Sequence, residues 1–161
     1  MENQLIIGVM GGASASAADT KSAYQLGALI AKQGWLLLNG GRNAGIMEAS
    51  AKGARDHGGI TVGILPDDTA RRASRYIQIP ILTGMGDARN YINVLTSNIV
   101  VACPGGAGTI SEIALALKND KQVISMNFDT GTIFDGYRRK GLLFSVNTPE
   151  EVIDTIKGLT G

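Results

Sequence analysis

The residues best suited to chemistry lie in one stretch, Pro104-Gly105-Gly106-Ala107-Gly108-Thr109-Ile110-Ser111-Glu112, a glycine-rich turn followed by a helical pattern with an early carboxylate. Bare backbone costs stability unless something approaches it closely. The turn therefore points to a ligand whose oxygens meet backbone N–H groups at a helix start, where the dipole favours negative charge. Glu112 has two readings. Thr109-Ile110-Ser111-Glu112 has the form of a capping box, in which the threonine accepts from an amide of the first turn and the glutamate reaches back to the cap N–H. A carboxylate beside an anion site also suits acid–base chemistry. Thr148-Pro149-Glu150-Glu151 repeats the box with no glycine turn before it, so the motif can be structural. Thr109 and Glu112 are expected to cap a helix, with any further role of Glu112 left open.

Two more glycine turns share this character: VMGGAS, with Gly11, Gly12 and Ser14, and NGGRNAG, with Gly40, Gly41, Arg42, Asn43 and Gly45. Neither fits the spacing of a dinucleotide fingerprint or a Walker loop. These turns follow strand-length apolar runs at 5–10, 35–39 and 98–103; further runs lie at 60–65, 77–82 and 122–127. Continuous apolar character is how a strand reads when helices cover both faces of a parallel sheet. Helical patterns fall between them, at 17–32, 44–56, 87–97, 108–119 and 149–157. The alternation predicts a single α/β domain over residues 1–161, a doubly wound, mainly parallel sheet with helices on both faces. Pro80 consigns its run to an edge or a bend. In such sheets ligands sit beyond the carboxyl ends of the strands. The three glycine turns are expected to converge there on a phosphate or another oxyanion.

Composition narrows the classes. The chain carries a net charge of +1 with 18% charged residues. Without a long basic block there is no electrostatic footprint for nucleic acid; Arg71, Arg72 and Arg75, like Arg138, Arg139 and Lys140, read as solvated surface. Cys103 is the single cysteine, which excludes an intrachain disulfide and a cysteine-rich zinc site and suggests a reducing compartment. The start MENQLIIGVMGG shows neither a leader nor a membrane span, so a cytoplasmic protein without membrane contact is expected. His57 reads as a helix-end residue, Trp35 as core, and the Asp67-Asp68 pair as surface loop rather than metal site, so no metal ligands are assigned. Tyr24, Leu26, Leu29 and Ile30 read as a helix face packed on the sheet or on a partner subunit.

The stretch CPGGAGTISE resembles the P-G-G-x-G-T-x-x-E signature of the family once called lysine decarboxylases and better known from the "Lonely Guy" cytokinin-activating phosphoribohydrolases. Residues 39–47, NGGRNAGIM, are similar to that family's second glycine segment. The resemblance implies a Rossmann-like fold and a homodimer, with pairing of dimers left open. In the hydrolase branch it implies that Glu112 and Arg89 act on the N-glycosidic bond of a nucleoside 5'-monophosphate such as AMP. Asn90 stands in place of that branch's lysine, and Asn98 in place of an aspartate, which weighs against hydrolysis.

Ala88-Arg89-Asn90-Tyr91-Ile92-Asn93 is closer to the pattern of the molybdenum cofactor carrier proteins. That resemblance implies a non-catalytic role, binding and protecting the phosphorylated pterin (molybdopterin) and handing it to molybdoenzymes or cofactor-biosynthesis proteins. The binding residues it implies are Gly11, Gly12, Ser14, Gly40, Gly41, Arg42, Asn43, Gly45, Arg89, Asn90, Gly105, Gly106, Ala107, Gly108, Thr109 and Glu112. Cys103 is expected to be an inert apolar residue, with a molybdenum-facing thiol as the minor reading. A nucleotide- or oxyanion-binding protein without transfer function is the third possibility.

Overall fold

A computed structural model describes residues 4–161. The first three residues of the N-terminal stretch read above as lacking a leader lie outside the described residues. Seven strands form one parallel sheet: β1 (Ile6–Met10), β2 (Leu36–Asn39), β3 (Thr61–Leu65), β4 (Ile79–Leu82), β5 (Ile99–Ala102), β6 (Gln122–Met126) and β7 (Leu143–Val146). Their order is β4-β3-β2-β1-β5-β6-β7. The six α-helices are α1 (Ala17–Lys32), α2 (Gly45–Asp56), α3 (Arg89–Thr96), α4 (Ala107–Lys118), α5 (Asp135–Arg139) and α6 (Pro149–Thr160). Among the described residues, no helix is long and apolar enough to cross a membrane.

The helices divide between the faces as the strand pattern requires. Alternate residues of a strand point to opposite faces: Ile7 and Val9 join Leu26 and Ile30 of α1, Ile46 of α2 and Val152 of α6, whereas Met10 joins Val94 of α3 and Ile113 and Leu117 of α4. Both sets are buried, which accounts for the continuous apolar runs. The edge strand β4, the one containing Pro80, is exposed along its length. Successive strands are added in one direction from β1 to β4 and in the other from β5 to β7, so the crevice at the topological switch point opens at the carboxyl ends of β1 and β5.

Two elements lie outside the sequence expectation, the short helix α5 and the edge strand β7. Leu143 is buried, but the other three residues of β7 are partly or fully exposed, so its run lacks the apolar continuity of the central strands. The expected helix at 87–97 is a 3-10 turn over Gly86–Ala88 running into α3.

The helices α1 and α2 cross at contact distance because each carries a glycine there. A Cβ on Gly27 would overlap the carbonyl oxygen of Ser50, and one on Gly53 would overlap that of Tyr24. Backbone atoms cannot move aside as a flexible side chain can. Gly53→Ala and Gly27→Ala are each expected to lower stability by about 1–3 kcal/mol in chemical denaturation. Gly158→Ala, in α6, where nothing lies within 4 Å, should leave stability unchanged or raise it by up to about 1 kcal/mol.

Candidate functional site

The three glycine turns meet at the switch point, tied together by their own amides. Gly12 N–H donates to Pro104 O at 2.9 Å, and Ile46 N–H donates to Gly12 O at 3.0 Å. In the second turn, Gly41 N–H donates to Asn39 Oδ1 at 2.8 Å, and Asn43 N–H to Arg72 O at 3.1 Å. Asn39, fully buried at the end of β2, also donates to Met47 O and Ser50 Oγ, fastening this turn to α2. Much of the expected amide nest is therefore spent on joining the turns.

The amides left for a ligand include those at the start of α4. This helix starts at Ala107 with Gly106 as its cap residue and no side-chain cap. None of the described hydrogen bonds outside the helix takes the N–H groups of Ala107, Gly108 or Thr109. Thr109 and Glu112 thus do not form a capping box, contrary to the sequence expectation. Helix geometry propagates two residues further upstream, through Gly108, which makes Thr109 the third residue of the helix rather than its cap. In the second segment the threonine half of the box forms, Thr148 Oγ1 accepting from Glu151 N–H at 3.2 Å, but the return bond falls one residue before the cap. The Glu151 carboxylate reaches back to Asn147 N–H at 2.7 Å.

A cavity of about 220 Å³ lies against the start of α4, lined by Val9, Met10, Ala13, Met47 and Asp87 and by the polar residues of α3 and α4. Of the residues singled out from the sequence, Gly11, Gly12, Gly40, Arg89, Asn90, Gly106, Gly108, Thr109 and Glu112 line it. Ser14, Gly41, Arg42, Asn43, Gly45, Gly105 and Ala107 do not. Several of these shape the turns instead. Gly45 has φ 52°, and a Cβ there would overlap Gly12 O. A Cβ on Gly105 would overlap the Thr109 hydroxyl. Arg42 faces Asp67 at 3.4 Å.

Arg89 is the first residue of α3 and is only 8% exposed. Its Nε donates to Ile64 O at 2.9 Å, its Nη2 to Gly40 O at 3.5 Å, and its Nη1 to Asn90 Oδ1. The guanidinium thus spans the carboxyl ends of β2 and β3. The described ion pairs join Arg42 to Asp67, Lys52 to Asp56 and Arg138 to Asp135; none includes Arg89. Burial lowers its pKa from the ordinary value, an effect opposed by Glu112 and reinforced by Arg42.

Glu112 faces the same cavity and is 7% exposed. Asn93 Nδ2 donates to its Oε2 at 3.3 Å. Burial raises the carboxyl from 4.5 to about 7, against the opposing effects of the Asn93 hydrogen bond and of Arg89. The cavity therefore joins a permanently charged guanidinium to a carboxyl that titrates near neutrality.

Asn93 and Met47 close two of the family-like segments but were not assigned to the site from the sequence. Asn93 sits one helical turn beyond Arg89 on an amphipathic helix, and that i, i+4 spacing was the available signal. Cys103 is fully buried among apolar side chains, where burial pushes its thiol up to about 12. It does not line the cavity, so the inert reading holds and the metal-facing one does not. His57 ends α2 with Nδ1 2.9 Å from Gly53 O. Trp35 packs partly buried against the core. Among the described residues, no three His, Cys, Asp or Glu side chains are grouped to hold a metal ion.

An all-parallel, Rossmann-like sheet with a cavity at its switch point, edged by a guanidinium and helix amides, defines the general class, a doubly wound α/β protein. More specifically, the chain belongs to the SLOG cluster4 family, whose model matches residues 4–153. It is similar to the molybdenum cofactor binding protein from the phototrophic bacterium Rippkaea orientalis, with 46% identity, TM-score 0.94 and complete coverage of both chains. It is also similar to the molybdenum cofactor carrier protein from Chlamydomonas reinhardtii, with 39% identity, TM-score 0.90 and coverage of 98% of this chain and 99% of that one. A cytokinin riboside 5'-monophosphate phosphoribohydrolase from Mycobacterium marinum is 32% identical over 124 residues, 72% of this chain and 65% of that protein.

Because the folded chain holds the Glu112 proton more tightly than the unfolded chain does, this group's contribution to stability is full below about 4.5 and is lost as pH rises to about 7. The difference in unfolding free energy between the parent protein and Glu112→Gln is expected to shift against the parent by on the order of 3 kcal/mol across that window. Denaturant titrations at pH 4.5, 6 and 7.5 measure it; a constant difference would show that folding does not raise the Glu112 carboxyl.

Proposed function

We propose that this protein binds the molybdenum cofactor, a phosphorylated pterin, protects it, and transfers it to molybdoenzymes or cofactor-biosynthesis proteins without breaking a bond in it. The observation that carries this reading is the buried guanidinium of Arg89, which has no carboxylate in an ion pair with it and faces a cavity edged by free helix amides. A buried charge is costly unless paired, and the buried Glu112 carboxyl of the same cavity ionises only near 7. A phosphate supplies the missing negative charge and accepts from the α4 amides. End-to-end similarity to a molybdenum cofactor binding protein and a carrier protein favours a phosphorylated pterin as the anion's parent molecule. Arg89, Asn90, Gly106, Gly108 and Thr109 are the residues we assign to the phosphate end; Ser14, Arg42 and Asn43 lie outside the cavity lining and belong at most to its rim.

The reading takes the protein as a cytoplasmic homo-oligomer. Tyr91 and Leu95 of α3 and Ile110 of α4 are exposed apolar residues on neighbouring helices, in keeping with a partner subunit.

A second reading rests on Glu112. A carboxyl titrating near 7 inside a ligand cavity suits proton transfer, and mycobacterial relatives named phosphoribohydrolases share much of this chain. Hydrolysis of a nucleoside 5'-monophosphate would use Arg89 for the phosphate and Glu112 at the ribose. One experiment separates the readings. Protein purified from a cofactor-producing host is expected to carry molybdenum and an oxidisable pterin, both lost in Arg89→Ala, and to release no base from AMP. Release of free base from AMP or a cytokinin ribotide, abolished by Glu112→Gln, would remove the carrier reading. AMP binding without turnover or pterin would leave a nucleotide-binding protein.

A further inference from the structure

We propose that Asn93 and Glu112 form an acceptor wall that recognises the N–H donors on the 2-amino-4-oxopyrimidine edge of the bound heterocycle, selecting ligands with that 2-amino group over those without it. The inference deepens the cargo reading and rests on that reading's choice of this cavity as the ligand site.

The cavity is polar in one sense at one wall and in the opposite sense at another. Arg89 and the uncapped amides of α4 offer only donors. One turn further along the same two helices, Asn93 Nδ2 donates to Glu112 Oε2, which leaves Glu112 Oε1 with no described hydrogen bond. Asn93 Oδ1 is buried with no partner, on a side chain only 1% exposed that lines the cavity. A buried carbonyl without a donor is a standing cost to the fold. One acceptor closed off from water, Asn93 Oδ1, and a second that the ionised Glu112 carboxylate turns to the cavity, Oε1, call for two donors on the ligand. Val9, Met10 and Met47 add apolar surface against which a flat ring can lie.

A phosphate at one end and a ring N–H with an exocyclic amino group at the other match both walls and fix the ligand's direction. Pterins and guanine share that edge; hypoxanthine and lumazine lack the amino group. A site whose buried acceptors need the donor rejects the analogue without it, because the acceptors are then left unpaired.

Calorimetry with two ligand pairs tests the wall: GMP against IMP, and 6-hydroxymethylpterin phosphate against its lumazine counterpart. The parent protein is expected to bind the 2-amino member of each pair at least about ten-fold tighter. In Glu112→Gln the amide carbonyl takes the Asn93 donor, so the new NH2 faces the ligand's donors; the preference should fall to about two-fold or less. Asn93→Leu, of similar size without the acceptor, should do the same. Equal binding of both members by the parent, or an unchanged preference in the two variants, overturns the proposal. Molybdenum and pterin co-purifying with a parent protein that shows no preference would leave the cargo reading standing without this wall. Preference for GMP over IMP in protein carrying no molybdenum would uphold the wall and remove the cargo reading.

Discussion

A guanidinium held away from water beside strand ends must be fixed by several acceptors at once, and at Arg89 those acceptors come from two different strands. Its bonds to Ile64 O at the end of β3 and to Gly40 O just after β2 fix the spacing of the second glycine turn and the entry of α3. The 3-10 turn at Gly86–Ala88 sets Arg89 at the start of α3, and Asn90 accepts from its remaining edge. The hydrogen bonds take three of the group's five N–H donors and leave its charge unanswered. The carbonyls orient a cation; only an anion neutralises it.

Glu112 answers that charge incompletely, and the reason is burial. A carboxylate in water would ionise far below neutrality; here the same seclusion that shapes the cavity keeps the proton on until near neutrality. Asn93 works in the other direction, since its amide favours the ionised form. The result is a cavity whose buried cation is permanent and whose buried carboxyl is ionised only conditionally. Carriers and hydrolases among the similar proteins can share such a scaffold because binding a phosphate end needs the cation and the amides, whereas cleaving a glycosidic bond also needs a carboxyl at the reacting atoms.

The glycine turns illustrate how far a motif can be read. Their clustering on successive strand ends was visible, and so was their convergence. Which amides remained available was not, because Gly12, Gly41 and Asn43 spend theirs on oxygens that are distant in sequence, in Pro104 and Arg72, or on a side chain two residues back, in Asn39. The two T-x-x-E segments make the same point. Thr148 caps its helix, while the helix above Thr109 begins upstream of it, at Ala107. Both segments carry the same local signal; the first is overruled because Glu112 finds Asn93 across the α3–α4 interface rather than the backbone of its own turn.

The sequence by itself determined the layered α/β fold, its central strands and the helices between them, because continuous apolar runs and helical periodicity are local consequences of burial on two faces of a sheet. It also determined that glycine-rich turns would gather at one edge, since parallel strands all end on the same side. It could not determine β7 or α5, whose residues are half-exposed and carry little period. Nor could it identify Asn93 as the partner of Glu112 or Ile64 as the anchor of Arg89. Those pairings join residues 19 and 25 positions apart, and only packing of α3 against α4 and against the end of β3 brings them within hydrogen-bond reach. The chemistry of the cavity follows from those encounters, because a charge or a carboxyl takes its character from what surrounds it.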